Sequence, residues 1–310
     1  MTLVLAASVM LLFEFLLLMA VSAFGFILRS ILIVLSSFVV LFSLAMFAIG
    51  GKILVRPSLR AVSIEELRRR TECLNRRGKR RPITLPVMIY LCGIDGAGKT
   101  TQARLIANSL RSKGLTCAYV WFRWSGFFSY PLLGLARLLG YTKWMAIEGT
   151  DIRYHEHYFD KNNAIAQLSA WFFFIDVLFY SVFLIKIPMA THDVLVCDRF
   201  VLDGIVDLVC DTKNHKIPKD MVGKLLVSLI PQRSIVLLLD LPEEVAYKRK
   251  RDIPNLEYLR SRRQVFLNLA NILSVPVLNA AKSPEALHSE IVETYLCRLP
   301  QWYARQECIS

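Results

Sequence analysis

The pattern of apolar and polar positions divides this chain in two. From Thr2 to Leu28 the only charged residue is Glu14, and from Ser30 to Gly51 there is none. Each run exceeds the ~20 apolar residues that a bilayer-crossing helix needs. Arg29 falls at the junction between Gly25 and the second run. The pattern therefore predicts a transmembrane helical hairpin over 1–51, both ends on one side. A cleavable signal peptide ending near Ala23 is the alternative, but no positive residue precedes the apolar core. Glu14 falls mid-span, where a neutral carboxyl bonded to the partner helix is the plain account.

From Leu85 onward, short apolar runs alternate with longer helical stretches. The strand candidates are 87–92, 117–122, 194–197, 235–239 and 275–278. They are almost continuously apolar, as strands covered by helices on both faces must be. Helices are expected near 99–112, 129–139, 161–186, 219–230, 243–270 and 284–298. The alternation implies an α/β fold, a mainly parallel five-stranded sheet with ligands at the strands' carboxyl ends. The run 171–185 is apolar enough to suggest a third span, yet it is short and contains Asp176. A buried core helix is the expectation there.

Residues 93–100 read Gly-Ile-Asp-Gly-Ala-Gly-Lys-Thr, a complete G-x-x-x-x-G-K-[ST] loop. It lies between the apolar run 87–92 and a good helix former, the only context in which the loop works. Such a loop turns successive N–H groups toward a phosphate chain, and the following helix adds its positive end. Gly93, Asp95, Gly96, Ala97, Gly98, Lys99, Thr100 and Thr101 are the expected nucleotide-binding residues. Lys99 would reach the β- and γ-phosphates of ATP, and the Thr100 hydroxyl would hold Mg²⁺. The fold expected is thus a three-layer P-loop NTPase fold, preceded by two transmembrane helices.

Composition and charge extend this picture. The hydrophobic fraction of 55% is high for a soluble chain, and the excess sits at the front. Between Lys52 and Arg81 there are eleven Lys or Arg and three Glu, a net +8 out of the chain's +13. Basic residues beside a span favour the cytoplasmic side and anionic headgroups. A short helix near 64–74 is expected, opened by the capping-box spacing Ser63-Ile-Glu-Glu66. Nucleic-acid binding competes as a reading of this run, but no aromatic residues interleave it. The seven cysteines form no C-x-x-C pair, as expected of small core residues in a reducing compartment.

Two further landmarks carry chemistry. Asp198-Arg199 ends an apolar strand, where phosphoryl-transfer enzymes place a carboxylate that organises Mg²⁺. An ordinary strand-end salt bridge is the other account of the pair. The run Lys248-Arg-Lys-Arg251, followed by Arg260, Arg262 and Arg263, is either a solvated helical face or a source of positive charge for transfer. The loop's variable positions Ile94, Asp95 and Ala97 supply none.

Together these segments resemble the thymidylate kinase family: Gly-Ile-Asp-Gly-Ala-Gly-Lys-Thr-Thr (93–101), Val-Cys-Asp-Arg-Phe (196–200), Leu-Asp-Leu-Pro-Glu-Glu-Val (239–245) and the basic lid around 248–263. The resemblance spans roughly 86–298. It implies a kinase domain at 86–300, which with the hairpin at 1–51 and the basic linker at 52–85 leaves 301–310 as a tail. It implies catalytic roles for Lys99, Asp198, Arg199, Arg249 and Arg251, metal binding by Thr100 and Asp198, and an adenine-side turn at 279–282. ATP and Mg²⁺ are the cofactors implied.

The acceptor half departs from the family. Only Arg123 remains of its Arg-Glu-Pro-Gly, Asp176-Val177 replaces its Asp-Arg, and Leu208 stands where it has a thymine-reading amide. Asp203 and Asp207 either add negative charge at the acceptor pocket or are solvated helix residues. The expectation is a membrane-tethered, cytoplasmic kinase acting on a nucleoside monophosphate, with thymidylate not preferred. A lipid-linked acceptor and a regulatory module with little turnover are the alternatives. A GTPase is disfavoured because no Asn-Lys-x-Asp is present. Nucleic acid is not an expected partner, and a homodimer is left open.

Overall fold

The computed structural model describes residues 85–122, 126–147, 151, 153–250 and 252–299. The expected hairpin 1–51, the helix near 64–74, nearly all of the linker, Arg123, Arg251 and the tail 301–310 lie outside them.

Five parallel strands, β1 (Val87–Cys92), β2 (Cys117–Trp121), β5 (Val194–Asp198), β6 (Ser234–Asp240) and β7 (Val277–Asn279), form one sheet in the order β2–β5–β1–β6–β7. Its centre is β1, buried along its whole length and paired with β5 and β6. Strands β2 and β7 form the edges. All five strand candidates are in place, within a few residues at their ends.

The helix α1 (Lys99–Ser112) shows why an amphipathic segment packs here. Its buried Ala103, Ile106, Ala107 and Leu110 recur at helical spacing, so one stripe meets the sheet. After α2 (Ser129–Leu138) comes an antiparallel hairpin of β3 (Thr142–Ala146) and β4 (Arg153–His157), which forms a separate two-stranded sheet. The apolar periodicity does not anticipate this hairpin, whose strands are mostly exposed and rich in charged and imidazole side chains.

Helix α3 (Asn163–Ser181) begins at Asn162, whose side chain accepts from the amides of Ala164 and Ile165 at 3.0 and 3.2 Å. A π turn (Val182–Lys186) and a final turn (Ile187–Thr191) prolong it to 29 residues. Length and composition would let it cross a membrane, yet Phe173, Val177 and Ile185 lie in the core and Asp176 is buried. Its other face carries exposed Leu168, Trp171, Ile175, Phe183 and Ile187.

The remaining helices are α4 (Val201–Thr212), α5 (Met221–Ser228), α6 (Glu243–Arg249), α7 (Leu256–Leu273) and α8 (Pro284–Thr294). Two corrections follow. Helix α4 is absent from the sequence expectations, and the helix expected over 243–270 is two helices. They are separated by 250–255, where Pro254 cannot continue a helix and Asn255 caps α7 through the Tyr258 amide at 2.8 Å.

Candidate active site

The loop 93–98 leaves β1 with positive φ at Gly93, Gly96 and Gly98. A Cβ on Gly93 would stand 2.5 Å from the Leu239 carbonyl oxygen, and one on Gly96 would stand 2.9 Å from that of Ala246. Both positions therefore require glycine on conformational and steric grounds. Gly98 caps α1 without a side chain, so the first-turn amides face the loop unspent. This is an anion cradle at the positive end of a helix.

Lys99 is buried, and its Nζ donates to the carbonyls of Gly93 at 2.5 Å and Ile94 at 2.8 Å. Burial and the nearby Arg199 lower its pKa, while Asp203, Asp95 and Asp198 oppose them. Asp95 pairs with Arg199. Burial alone would raise the Asp95 pKa, but Arg199 and Lys99 outweigh it and hold the carboxyl well below the usual carboxylate range. Arg199 has φ 69°, a left-handed conformation that costs an arginine ~1 kcal/mol or more.

The Thr100 hydroxyl donates to Asp198 Oδ2 at 2.5 Å, and Tyr119 Oη donates to the same oxygen at 3.2 Å. Burial and Asp198 push the Tyr119 phenol up to about 12, so it remains a donor at neutral pH. Asp198 Oδ1 is buried and has no hydrogen-bond partner among the described residues. A hard cation takes oxygen ligands, and an orphaned carboxylate oxygen beside a hydroxyl fits Mg²⁺. Among the described residues no three His, Cys, Asp or Glu side chains group as a metal cluster. A magnesium here would draw its other ligands from water and nucleotide phosphates, as it commonly does.

Beside the loop opens a cavity of about 760 Å³. Phe122, Tyr130, Phe173 and Phe200 supply aromatic walls, and the β3–β4 hairpin adds Trp144, Arg153 and His155. The Trp144 and His155 rings are 3.7 Å apart between centroids, and the Arg137 guanidinium lies 5.3 Å from the indole centre. His157 bonds Thr142 Oγ1 at 3.0 Å, and burial with the neighbouring His155 drives its pKa down to about 4.

The basic lid divides by role. Arg249 donates to the Ala280 carbonyl at 3.4 Å, which places it against the turn 279–282 rather than on the cavity wall. Lys250 and Arg262 line the cavity; both belong to the basic segment expected to supply positive charge, though the resemblance singled out Arg249 and Arg251. Arg263 binds Asp240 at 2.7 and 2.9 Å and Glu243 at 2.7 Å, and Arg260 binds Glu243 at 3.1 Å. These two tie α7 to α6 and the end of β6.

The acceptor-side positions behave differently from the family pattern. Asp176 accepts from the amides of Phe127 at 2.9 Å, Phe128 at 2.7 Å and Ser129 at 3.0 Å, and from the Ser129 hydroxyl. It anchors the start of α2. Val177 and Leu208 are buried in the core. Asp203 is buried yet lines the cavity, so the solvated reading of it is wrong. Asp207 also lines the cavity, half exposed and bound to Arg262 at 3.1 Å. Tyr119 too was missed. Its only sequence signal is a polar residue within an apolar strand.

No family model matches the chain, and no curated protein matches it. Among solved structures it is similar to the thymidylate kinase from Ehrlichia chaffeensis, at 18% identity and a TM-score of 0.40, covering 67% of this chain and 97% of that one. A likeness so remote carries no argument about activity.

Proposed function

We propose that this chain is an ATP-dependent phosphotransferase of thymidylate kinase type. The observation that carries the reading is the Thr100–Asp198 contact, made at the start of α1 beneath a complete phosphate loop. In this reading the loop amides and Lys99 hold the β- and γ-phosphates, Lys99 exchanging its two carbonyl partners for phosphate oxygens. Thr100 and Asp198 would hold Mg²⁺, whose charge would offset that developing on the transferred group. Arg199 leaves Asp95 for an anionic oxygen, and Lys250 and Arg251 supply lid charge. Arg249 supports the donor-base side. The cavity takes the acceptor, and the resemblance gives that acceptor as a nucleoside monophosphate.

The proposal extends to location. The two uncharged runs and the +8 flank support a two-span membrane protein with a cytoplasmic kinase domain. The exposed apolar stripe on α3 would suit a membrane-proximal or self-associating domain. The test is ADP release by the purified full-length protein across nucleoside monophosphates. Release that depends on Mg²⁺ and on an acceptor supports the reading. ATP binding without turnover on any acceptor would favour a regulatory module instead.

A further inference from the structure

Asp203 is the third residue of α4, and its two carboxylate oxygens have unlike surroundings. Oδ2 accepts from Tyr90 Oη at 2.8 Å and from the Phe200 amide at 3.3 Å, closing the start of the helix. Tyr90 Oη accepts in turn from the Leu202 amide at 2.9 Å. Oδ1 is buried and has no hydrogen-bond partner among the described residues. Leaving a buried acceptor unmatched is costly. Capping needs only Oδ2, so the structure of α4 does not account for the other oxygen.

Asp203 lines the same cavity as Gly93, Ile94 and Asp95 of the phosphate loop. The groups that face it electrostatically are Lys99 from α1, Arg199 after β5, Tyr90 and Cys92 from β1, and Cys197 from β5. Burial, opposed by Lys99 and Arg199, raises its carboxyl to about 6. A group of that strength is ionised at neutral pH and matched to taking a proton there.

The charge lining the cavity argues in the same direction. Five cations line it, Arg137, Arg153, Arg199, Lys250 and Arg262, against five carboxylates, Asp95, Asp203, Asp207, Asp211 and Asp252; Arg199 is paired with Asp95, Arg262 with Asp207 and Asp211, and Lys250 with Asp252. A lining with no formal net charge offers a dianion little attraction, and a phosphate placed for transfer would meet Asp203. A neutral alcohol meets no such penalty and supplies the hydrogen that Oδ1 lacks.

We propose that Asp203 is the general base of this site and that the acceptor atom is a neutral hydroxyl on a molecule with a planar ring, of nucleoside size. This rests on the phosphotransferase reading and replaces its monophosphate acceptor. In the acceptor complex the carboxyl turns about Cβ–Cγ to offer Oδ1 to the hydroxyl. The hydroxyl oxygen bonds to the γ-phosphorus as the β–γ bridging P–O bond breaks. ADP leaves with that electron pair, and the hydroxyl proton passes to Asp203 and then to solvent. The aromatic walls hold the ring.

The test compares nucleosides with nucleoside monophosphates as acceptors for the full-length protein, in wild-type and Asp203→Asn forms, with ATP affinity measured in parallel. Asparagine keeps an oxygen for the Tyr90 and Phe200 donors, and unchanged ATP affinity reports an intact fold. The expected result is turnover with nucleosides, a ~10²–10⁴-fold lower kcat in Asp203→Asn, and loss of the wild-type fall in rate below pH 6. If Asp203→Asn fails to bind ATP, Asp203→Glu serves in its place, and the expected result is retained nucleoside turnover with a shifted pH profile. Turnover confined to monophosphates, or an Asp203→Asn kcat within a few-fold of wild type, overturns the proposal while leaving the phosphotransferase reading intact. Turnover with neither class, with ATP bound normally, ends both.

Discussion

Thr100 and Asp198, 98 residues apart, meet at 2.5 Å and join the start of α1 to the end of β5. Both donors on Asp198, Thr100 and Tyr119, use Oδ2. The carboxylate is therefore held in one orientation with Oδ1 unpartnered among the described residues, the oxygen that the proposed Mg²⁺ site would use. Asp198→Asn should raise the Mg²⁺ concentration needed for half-maximal binding of an ATP analogue by ~10–100-fold. Mn²⁺ titration followed by electron paramagnetic resonance would measure this directly. Unchanged metal affinity would remove Asp198 from the metal site.

The glycines of the loop give a steric prediction. Gly93→Ala puts a methyl 2.5 Å from a backbone carbonyl at φ 143°. Gly140→Ala, with φ 80° and nothing within 4 Å, carries the conformational penalty alone. Gly93→Ala should abolish detectable ATP binding and lower Tm, whereas Gly140→Ala should cost ~1 kcal/mol and leave ATP affinity unchanged. Equal effects from the two would mean that the approach of β6 to the loop is not tight.

Asp176 tests the reassignment of an acceptor-side position to a structural one. Its carboxylate gathers four donors at the start of α2, so Asp176→Ala should destabilise the fold by at least ~3 kcal/mol. Chemical denaturation would register the loss. A stable variant with weakened acceptor binding would restore a ligand role.

The sheet was legible because the inner strands β1, β5 and β6 are buried on both faces and read as unbroken apolar runs, while the partly exposed edge strands β2 and β7 are still mostly apolar. The β3–β4 hairpin was not, since Lys143, Trp144, Met145 and Arg153 are exposed and give no clean alternation. Helix α4 follows β5 so closely, and is so apolar through Ile205, Val206, Leu208 and Val209, that its periodicity was hidden. In the lid, Pro254 was visible, but the charge run before it reads as helix throughout. Which cation turns inward depends on α6 ending at Arg249, and that is set by packing. The phosphate loop and Asp198 were legible because their chemistry fixes residue type at fixed places. The open oxygen of Asp203 is a fact of tertiary structure.

Asp211 gives a pH prediction. Burial, opposed by Arg262, raises its carboxyl from near 4 in the unfolded chain to about 7. Between those values the folded state holds the extra proton, so this group's contribution to stability falls as pH rises. Asp211→Asn removes that penalty. The Tm of the variant minus that of wild type should become more positive from pH 5 to pH 8. A constant difference would show that the carboxyl titrates alike in both states.

If the phosphate loop carries out γ-phosphoryl transfer, Lys99 is the residue on which that transfer turns. The most direct measurement is transfer from γ-labelled ATP by the full-length protein and its Lys99→Ala variant, across nucleoside and nucleoside monophosphate acceptors. Wild type is expected to transfer label to an acceptor in a Mg²⁺-dependent way, with transfer reduced at least ~10²-fold in Lys99→Ala and the fold intact. Transfer by Lys99→Ala within a few-fold of wild type, or no transfer by wild type to any acceptor, would contradict this assignment.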